Sequence, residues 1–178
     1  DALVANLERA RRSGILKQLG LKQKKFVYVT LHRPSNVDCK KTLHAVMAEL
    51  QKIASVVPVV FPMHPRTRKM LEQFHISYEA DGRLKILEPV GYHDSLCLTE
   101  NARFVITDSG GLQEESTFFR TPCLTLRPNT ERPITLSVGS NRLTNLSRLS
   151  DDADDALNGQ TMVGHVPPLW DGNAANRV

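Results

Sequence analysis

Two periods of apolar residues alternate along the chain. Residues 26–31 (Phe-Val-Tyr-Val-Thr-Leu) form a continuous run with β-branched and aromatic members, suited to a strand buried on both faces. Comparable short runs at 58–61, 84–87, 104–107 and 121–126 predict four further strands, and Asn141, Arg142 and Leu143 a small sixth. Between them, apolar residues recur at helical spacing. Leu43, Val46, Met47, Leu50 and Ile53 line one face of a helix over 42–56. A helix is also expected in the opening run, where Leu3, Val4, Leu7 and Ala10 are followed by Ile15 and Leu16. Others are expected near 67–74, near 93–101, after the Gly110-Gly111 pair, up to about Val138, and around 152–157. Asp81-Gly82 reads as a turn and Pro167-Pro168 as a break, with a cap and barely one helical turn at the very end. Strands alternating with helices over short links predict an α/β fold, a Rossmann-like doubly wound parallel sheet.

In that architecture ligands bind outside the carboxyl ends of the strands. Those ends carry His32-Arg33, His64-Pro65-Arg66, Pro89-Val90-Gly91, Ser109-Gly110-Gly111 and residues 127–132, so polar and charged groups collect on one edge of the sheet. Pro34 excludes ladder pairing after the first strand, and Asp38 reads as the N-cap of the next helix.

The stretch around which the rest is organised is 103–116, a strand, a tight turn at Asp108-Ser109-Gly110-Gly111, then a helix with paired glutamates. A strand that restarts as a helix leaves backbone N–H groups without partners, and these together with the helix dipole favour an anion such as phosphate. The glycines place no side chain in the way, and Glu114 and Glu115 lie one turn further in, where a carboxylate accepts hydrogen bonds from sugar hydroxyls. Diphosphate at the turn and ribose at the glutamate describe a nucleotide. The same residues also read as an ordinary helix start, with a Ser cap and acidic residues in its first turn.

His32 directly follows a buried strand and is a candidate proton donor near neutral pH. Arg33, Arg66 and Arg132 carry guanidiniums suited to phosphate oxygens, and Arg132 sits in a stiff loop between Glu131 and Pro133. His64, His75 and His93 do not make a metal constellation, and His44 and His165 read as surface residues. The nucleophile elbow Gly-x-Ser-x-Gly, the Walker P-loop and Gly-x-Gly-x-x-Gly are all absent from the sequence.

Composition narrows the picture a little. The 178 residues are 40% apolar and 24% charged, as in ordinary water-soluble domains, and no apolar run approaches the ~20 residues that cross a bilayer. No secretory leader is evident, and Cys39, Cys97 and Cys123 lack the pairing of a zinc site or a disulfide framework, which suits a reducing cytoplasm. The net charge of +4 is unevenly spread, with Lys and Arg crowding the first 41 residues and Asp151, Asp152, Asp154 and Asp155 forming a late acidic cluster. Without aromatic interleaving or a recognisable nucleic-acid module, an anionic small molecule fits at least as well as nucleic acid. The chain opens with Asp1 inside a helix-like run and closes within another, so a fragment is expected: a leading helix (1–24), a core (25–150) and a helical tail (151–178) of one domain.

Four segments in order carry a family resemblance: 30–38 (Thr-Leu-His-Arg-Pro-Ser-Asn-Val-Asp), 63–67 (Met-His-Pro-Arg-Thr), 107–115 (Thr-Asp-Ser-Gly-Gly-Leu-Gln-Glu-Glu) and 130–133 (Thr-Glu-Arg-Pro). From Phe26 to Trp170-Asp171-Gly172 the chain resembles the C-terminal half of the non-hydrolysing UDP-N-acetylglucosamine 2-epimerases. The resemblance implies two Rossmann-like halves, as in two-domain nucleotide-sugar glycosyltransferases, with UDP between them. It implies that Ser109, Gly110 and Gly111 hold the diphosphate, Glu115 the ribose hydroxyls, and Arg132 a place beside the phosphates. The backbone near Pro89 and Val90 would meet the uracil, and His32 would be the acid that eases UDP departure. In regulated members the matches to Arg33 and His64 contact a second, activating UDP-sugar.

The implied reaction eliminates UDP to a 2-acetamidoglucal and adds it back after C2 has changed configuration, with no metal or redox cofactor. The implied partners are UDP, a UDP-N-acetylhexosamine, the N-terminal half that carries the catalytic carboxylates, and a second copy in a full-length homodimer. Neither nucleic acid nor membrane is among them. Departures are Leu31 for a common Gly, Ile134 for a common Glu, and Ser95 where many members carry an aromatic against the uracil. A hydrolysing epimerase and a non-catalytic nucleotide-sugar sensor stay open as alternatives.

Overall fold

Elements were assigned in a computed structural model, described for residues 1–78, 82–160 and 164–177. The chain runs α1 (Ala2–Arg11), α2 (Ile15–Gln18), β1 (Val27–Thr30), α3 (Pro34–Val37), α4 (Lys40–Val56) and β2 (Val59–Pro62). It continues through α5 (Pro65–Gln73), β3 (Leu84–Leu87), α6 (Tyr92–Asn101), β4 (Phe104–Thr107) and α7 (Gly110–Phe118). β5 (Cys123–Leu126), α8 (Pro133–Ser137), β6 (Asn141–Thr144), α9 (Leu149–Leu157) and a closing 3₁₀ turn (Ala174–Arg177) complete it. The six strands form one parallel sheet in the order β3-β2-β1-β4-β5-β6. That is the doubly wound, Rossmann-like α/β arrangement expected from the alternation of periods.

Both faces of the sheet are covered, which is why β2, β4 and β5 are buried at every position. Successive strand residues divide between two cores. Val27, Val29, Phe61, Phe104, Ile106 and Leu124 pack with the apolar stripe of α4 and with Leu149, Ala153 and Ala156 of α9. Tyr28, Val60, Val105 and Cys123 pack with Ile15 of α2, Cys97 and Leu98 of α6 and Leu112 of α7. Each fully buried side chain of this kind contributes roughly 1.5–3 kcal/mol.

Several boundaries differ from the apolar periods, and polar contacts explain them. The opening run is two helices because Ser13 breaks it, donating to Asp94 at 2.5 Å while its Oγ accepts from the Ile15 N–H. Asp38 is not the cap of α4, whose N-cap position is Cys39. Pro34 instead starts the extra helix α3, since its missing N–H costs nothing at a first helical position, and the Asp38 carboxylate takes the Arg66 guanidinium. Pro65 likewise starts α5 two residues early, with His64 as its cap. Gly110 and Gly111 are the first two residues of α7 rather than part of the turn before it. Of the expected turn at Asp81-Gly82, Asp81 lies outside the described residues, and Gly82 adopts φ +82°.

The chain ends meet. The Asp1 carboxylate accepts from the Ala174 and Ala175 N–H groups at 2.9 and 2.7 Å. Gly172, at φ +82°, lies so close to Val4 that an added Cβ would come within 2.8 Å of its Cβ.

Candidate functional site

The sheet reverses its winding between β1 and β4, and the crevice at a switch point of this kind is where open α/β sheets bind ligands. Thr30 pairs with Thr107 there, their hydroxyls 2.7 Å apart, so the residues that follow each strand emerge side by side. From β1 come His32 and Arg33; from β4 come Asp108 and Ser109.

Asp108 is completely buried. Its carboxylate accepts from the His32 N–H at 3.0 Å, the Arg33 N–H at 2.9 Å and Asn36 Nδ2 at 3.0 Å. His32 Nδ1 lies 3.0 Å from its other oxygen. Arg33 Nε closes the set by donating to the Asp108 carbonyl at 2.9 Å. Burial works against charge on this carboxyl, but the bonds from His32, Asn36 and Arg33 outweigh it and hold it below its ordinary value.

Ser109 caps α7, its Oγ accepting from the Leu112 N–H at 3.5 Å. Among the described residues the Gly110 and Gly111 N–H groups have no protein acceptor. A Cβ added at Gly110 would meet nothing within 4 Å, and one at Gly111 only Ser109 Oγ at 3.9 Å. The protein's own packing therefore does not require glycine at either position, and the space beside both is open.

The paired glutamates diverge. Glu114 binds Arg132 Nε at 3.0 Å. Glu115 has no protein hydrogen bond to its carboxylate among the described residues, and burial, with the neighbouring Glu114 charge, pushes its carboxyl up to about 7. All three guanidiniums considered from sequence have a carboxylate neighbour: Arg66 is bound to Asp38, Arg132 to Glu114, and Arg33 lies 3.9 Å from Glu131. The 127–133 loop is braced by a bidentate Arg127–Glu131 pair with both contacts at 2.8 Å, which holds the Glu131 carboxyl down at about 2. Gln113 ties this loop to α7: its Oε1 accepts from Thr130 Oγ1 at 2.5 Å and Asn141 Nδ2 at 3.2 Å, while its Nε2 donates to the Ser109 carbonyl at 3.1 Å.

Two clefts meet the start of α7. One, of about 240 Å³, is lined by Tyr28, Thr30, His32, His64, Val90, Ser95 and Ser109 among others, so four of the residues singled out from sequence share it. Its floor has the Tyr28 hydroxyl 2.8 Å from Ser95 Oγ, a polar pair at the position that departs from the aromatic implied by the resemblance. The other, of about 360 Å³, brings Gly111 and Glu115 together with Tyr92, Phe118 and the two chain ends. Arg33, Gly110 and Arg132 line neither. Among the described residues no cluster of His, Cys, Asp and Glu could hold a metal ion.

Asp108, Asn36 and Gln113 are the residues that sequence reasoning assigned no role. An acidic residue directly after the short Phe-Val-Ile-Thr strand was the available signal for Asp108. Its partners are about 75 positions away, and only the adjacency of β1 and β4 brings them to it.

Fold and site together define a Rossmann-like α/β domain with an open helix N-terminus and, at the sheet's switch point, a buried Asp108 paired with a half-buried His32. The chain belongs to the UDP-N-acetylglucosamine 2-epimerase family, whose model matches residues 1–178. It is similar to the UDP-N-acetylglucosamine 2-epimerase of Methanococcus maripaludis, 42% identical over 150 residues, which are 80% of this chain and 41% of the relative. The UDP-2,3-diacetamido-2,3-dideoxy-D-glucuronate 2-epimerase of Pseudomonas aeruginosa is 35% identical over 86% of this chain and 43% of its own length. Among solved structures, Methanocaldococcus jannaschii UDP-GlcNAc 2-epimerase in complex with UDP-GlcNAc and UDP superposes with a TM-score of 0.85 at 34% identity. That match covers 99% of this chain and 50% of the other, so the chain spans about half the length of the relatives it matches.

Proposed function

We propose that this chain is the UDP-binding half of a UDP-N-acetylglucosamine 2-epimerase that interconverts UDP-GlcNAc and UDP-ManNAc. The observation that carries the reading is the first turn of α7 in a member of this family: among the described residues the two glycine N–H groups have no protein acceptor, and a side chain added at either glycine would meet open space. Ser109, Gly110 and Gly111 take the diphosphate, with Arg132 beside it. Glu115, whose carboxylate no protein donor occupies among the described residues, takes the ribose hydroxyls, and the Pro89-Val90 backbone takes the uracil. Arg33 and His64 are the candidates for contact with a second UDP-sugar.

In the reaction a base on the N-terminal half removes the C2 proton as the C1–O bond breaks, and His32 gives a proton to the departing diphosphate oxygen. Re-addition reverses both steps, with the proton returned to the other face of C2. The same C–H and C–O bonds are broken and remade, so the chemistry balances without a redox cofactor. This half alone turns over little or nothing; the full-length enzyme works as a cytoplasmic homodimer on UDP-N-acetylhexosamines.

The test is calorimetric titration of this chain with UDP, with AMP as control. Binding of UDP in preference to AMP supports the reading, and no UDP binding at millimolar concentration removes it. Product analysis on the full-length protein then separates UDP-ManNAc from free ManNAc, the product of a hydrolysing epimerase.

A further inference from the structure

We infer that Asp108 is a positioning residue: its carboxylate holds His32 as the Nδ1–H tautomer and leaves Nε2 as the one ring atom that exchanges a proton with the cleft. The inference rests on the proposed role of His32 as proton donor, but its geometry is independent of that role.

An ionised carboxylate only accepts hydrogen bonds, and Asp108, itself closed to solvent, is kept ionised by four donor groups. With Nδ1 at 3.0 Å from Oδ1, the ring must present a hydrogen at Nδ1 in both its charged and its neutral forms. The proton that comes and goes is then the one on Nε2. The ring cannot turn away without breaking this contact, and the backbone that carries it is fixed by the His32 and Arg33 N–H bonds to the same carboxylate. Asp108 lines neither cleft, so it acts through His32 rather than on a ligand.

His64 supplies an internal contrast. Its ring centroid is 5.3 Å from that of His32, yet its Nδ1 accepts from the Arg66 N–H at 3.1 Å to cap α5. A neutral His64 therefore carries its proton on Nε2. Two neighbouring imidazoles are set in opposite tautomers, one by a carboxylate and one by a helix N–H, and only the first can lend Nε2 a lone pair in its neutral form.

The experiment is long-range ¹H–¹⁵N correlation on the full-length protein labelled with ¹⁵N-histidine, at a pH where both rings are neutral. Signals are assigned through His32→Gln and His64→Gln. The expected result is Nδ1–H for His32 and Nε2–H for His64; Nε2–H at His32 in the unaltered protein overturns the inference. Asp108→Asn should move His32 to a tautomer mixture with His64 unchanged. Asn36→Ala removes a different bond to the same carboxylate and should leave the His32 tautomer as it was. If Asn36→Ala shifts His32 as far as Asp108→Asn does, the effect is general loosening and the inference fails. Should Asp108→Asn not fold, the unaltered protein and Asn36→Ala decide. In turnover, Asp108→Asn should lower kcat by about 10²–10⁴-fold with KM unchanged; a loss confined to KM contradicts it. Absence of UDP binding with the tautomers as stated would remove the epimerase reading alone.

Discussion

Asp108 and Glu115 are carboxylates seven positions apart, one before the Ser109 cap and one inside α7, with opposite surroundings. Asp108 is sealed from solvent and saturated with donors, and its carboxyl is held below the ordinary value. Glu115 is partly buried, has no protein donor among the described residues, and has its carboxyl raised to about 7. Burial penalises charge at both; the hydrogen bonds decide the outcome. A satisfied buried carboxylate belongs to the architecture. One that is desolvated and unsatisfied destabilises the empty protein and is positioned for donors brought by a ligand, such as ribose hydroxyls.

The sharpest way to break the contrast is Asp108→Ala. It leaves the His32 and Arg33 N–H groups and Asn36 Nδ2 without their acceptor, and the expected loss is about 3–5 kcal/mol of unfolding free energy. Urea unfolding measures it, and a loss under about 1 kcal/mol would show that Asp108 is not the hub.

Next in size, Glu115→Ala should weaken UDP binding by roughly 1.5–3 kcal/mol in calorimetry without loss of stability. Unchanged affinity takes Glu115 out of the site.

The pH dependence has a definite sign. The folded value for Glu115 lies above its ordinary value of 4.5, so its contribution to stability is fully present below about 4.5 and is lost as pH rises through about 7. Asp108 behaves oppositely, its contribution being present above 3.8 and lost as pH falls through its lower folded value. Melting curves of the ligand-free chain should show stability falling by about 1–3 kcal/mol from pH 5 to 8 on account of Glu115. Glu115→Gln should flatten that limb; an equal slope in the variant contradicts the assignment.

The smallest expected effect is Glu114→Gln. The Glu114 charge is the lesser of the two causes that raise Glu115, so the variant should lower the Glu115 titration midpoint only part of the way, as read by ¹³C NMR of the carboxyl. A full return to the ordinary value would mean that charge, not burial, dominates.

Much of this was legible in the sequence, because strand runs and helical periods are local. The apolar runs at 84–87 and 104–107 coincide with β3 and β4, and the five-residue apolar stripe of α4 is buried as its spacing implies. The Ser cap and the glycine pair were readable for the same reason: they act through their own backbone. The Asp38 cap was misjudged because its competing partner, Arg66, lies far along the chain; the helix starts at Pro34 and Pro65 follow instead from a local preference of proline for the first helical position.

The sequence by itself determined the elements, their alternation, the polar strand ends, and the motifs that identify the family. Which strand lies beside which is a non-local choice, and only the tertiary structure decided that β1 and β4 are neighbours. That adjacency makes Asp108 the partner of His32, while the pairing of β4 with β5 brings the 127–133 loop to Gln113 and Glu114 and leaves Glu115 aside. The physical reason is that burial and long-range hydrogen bonds set the charge and direction of a side chain, and neither exists until the sheet has closed around it.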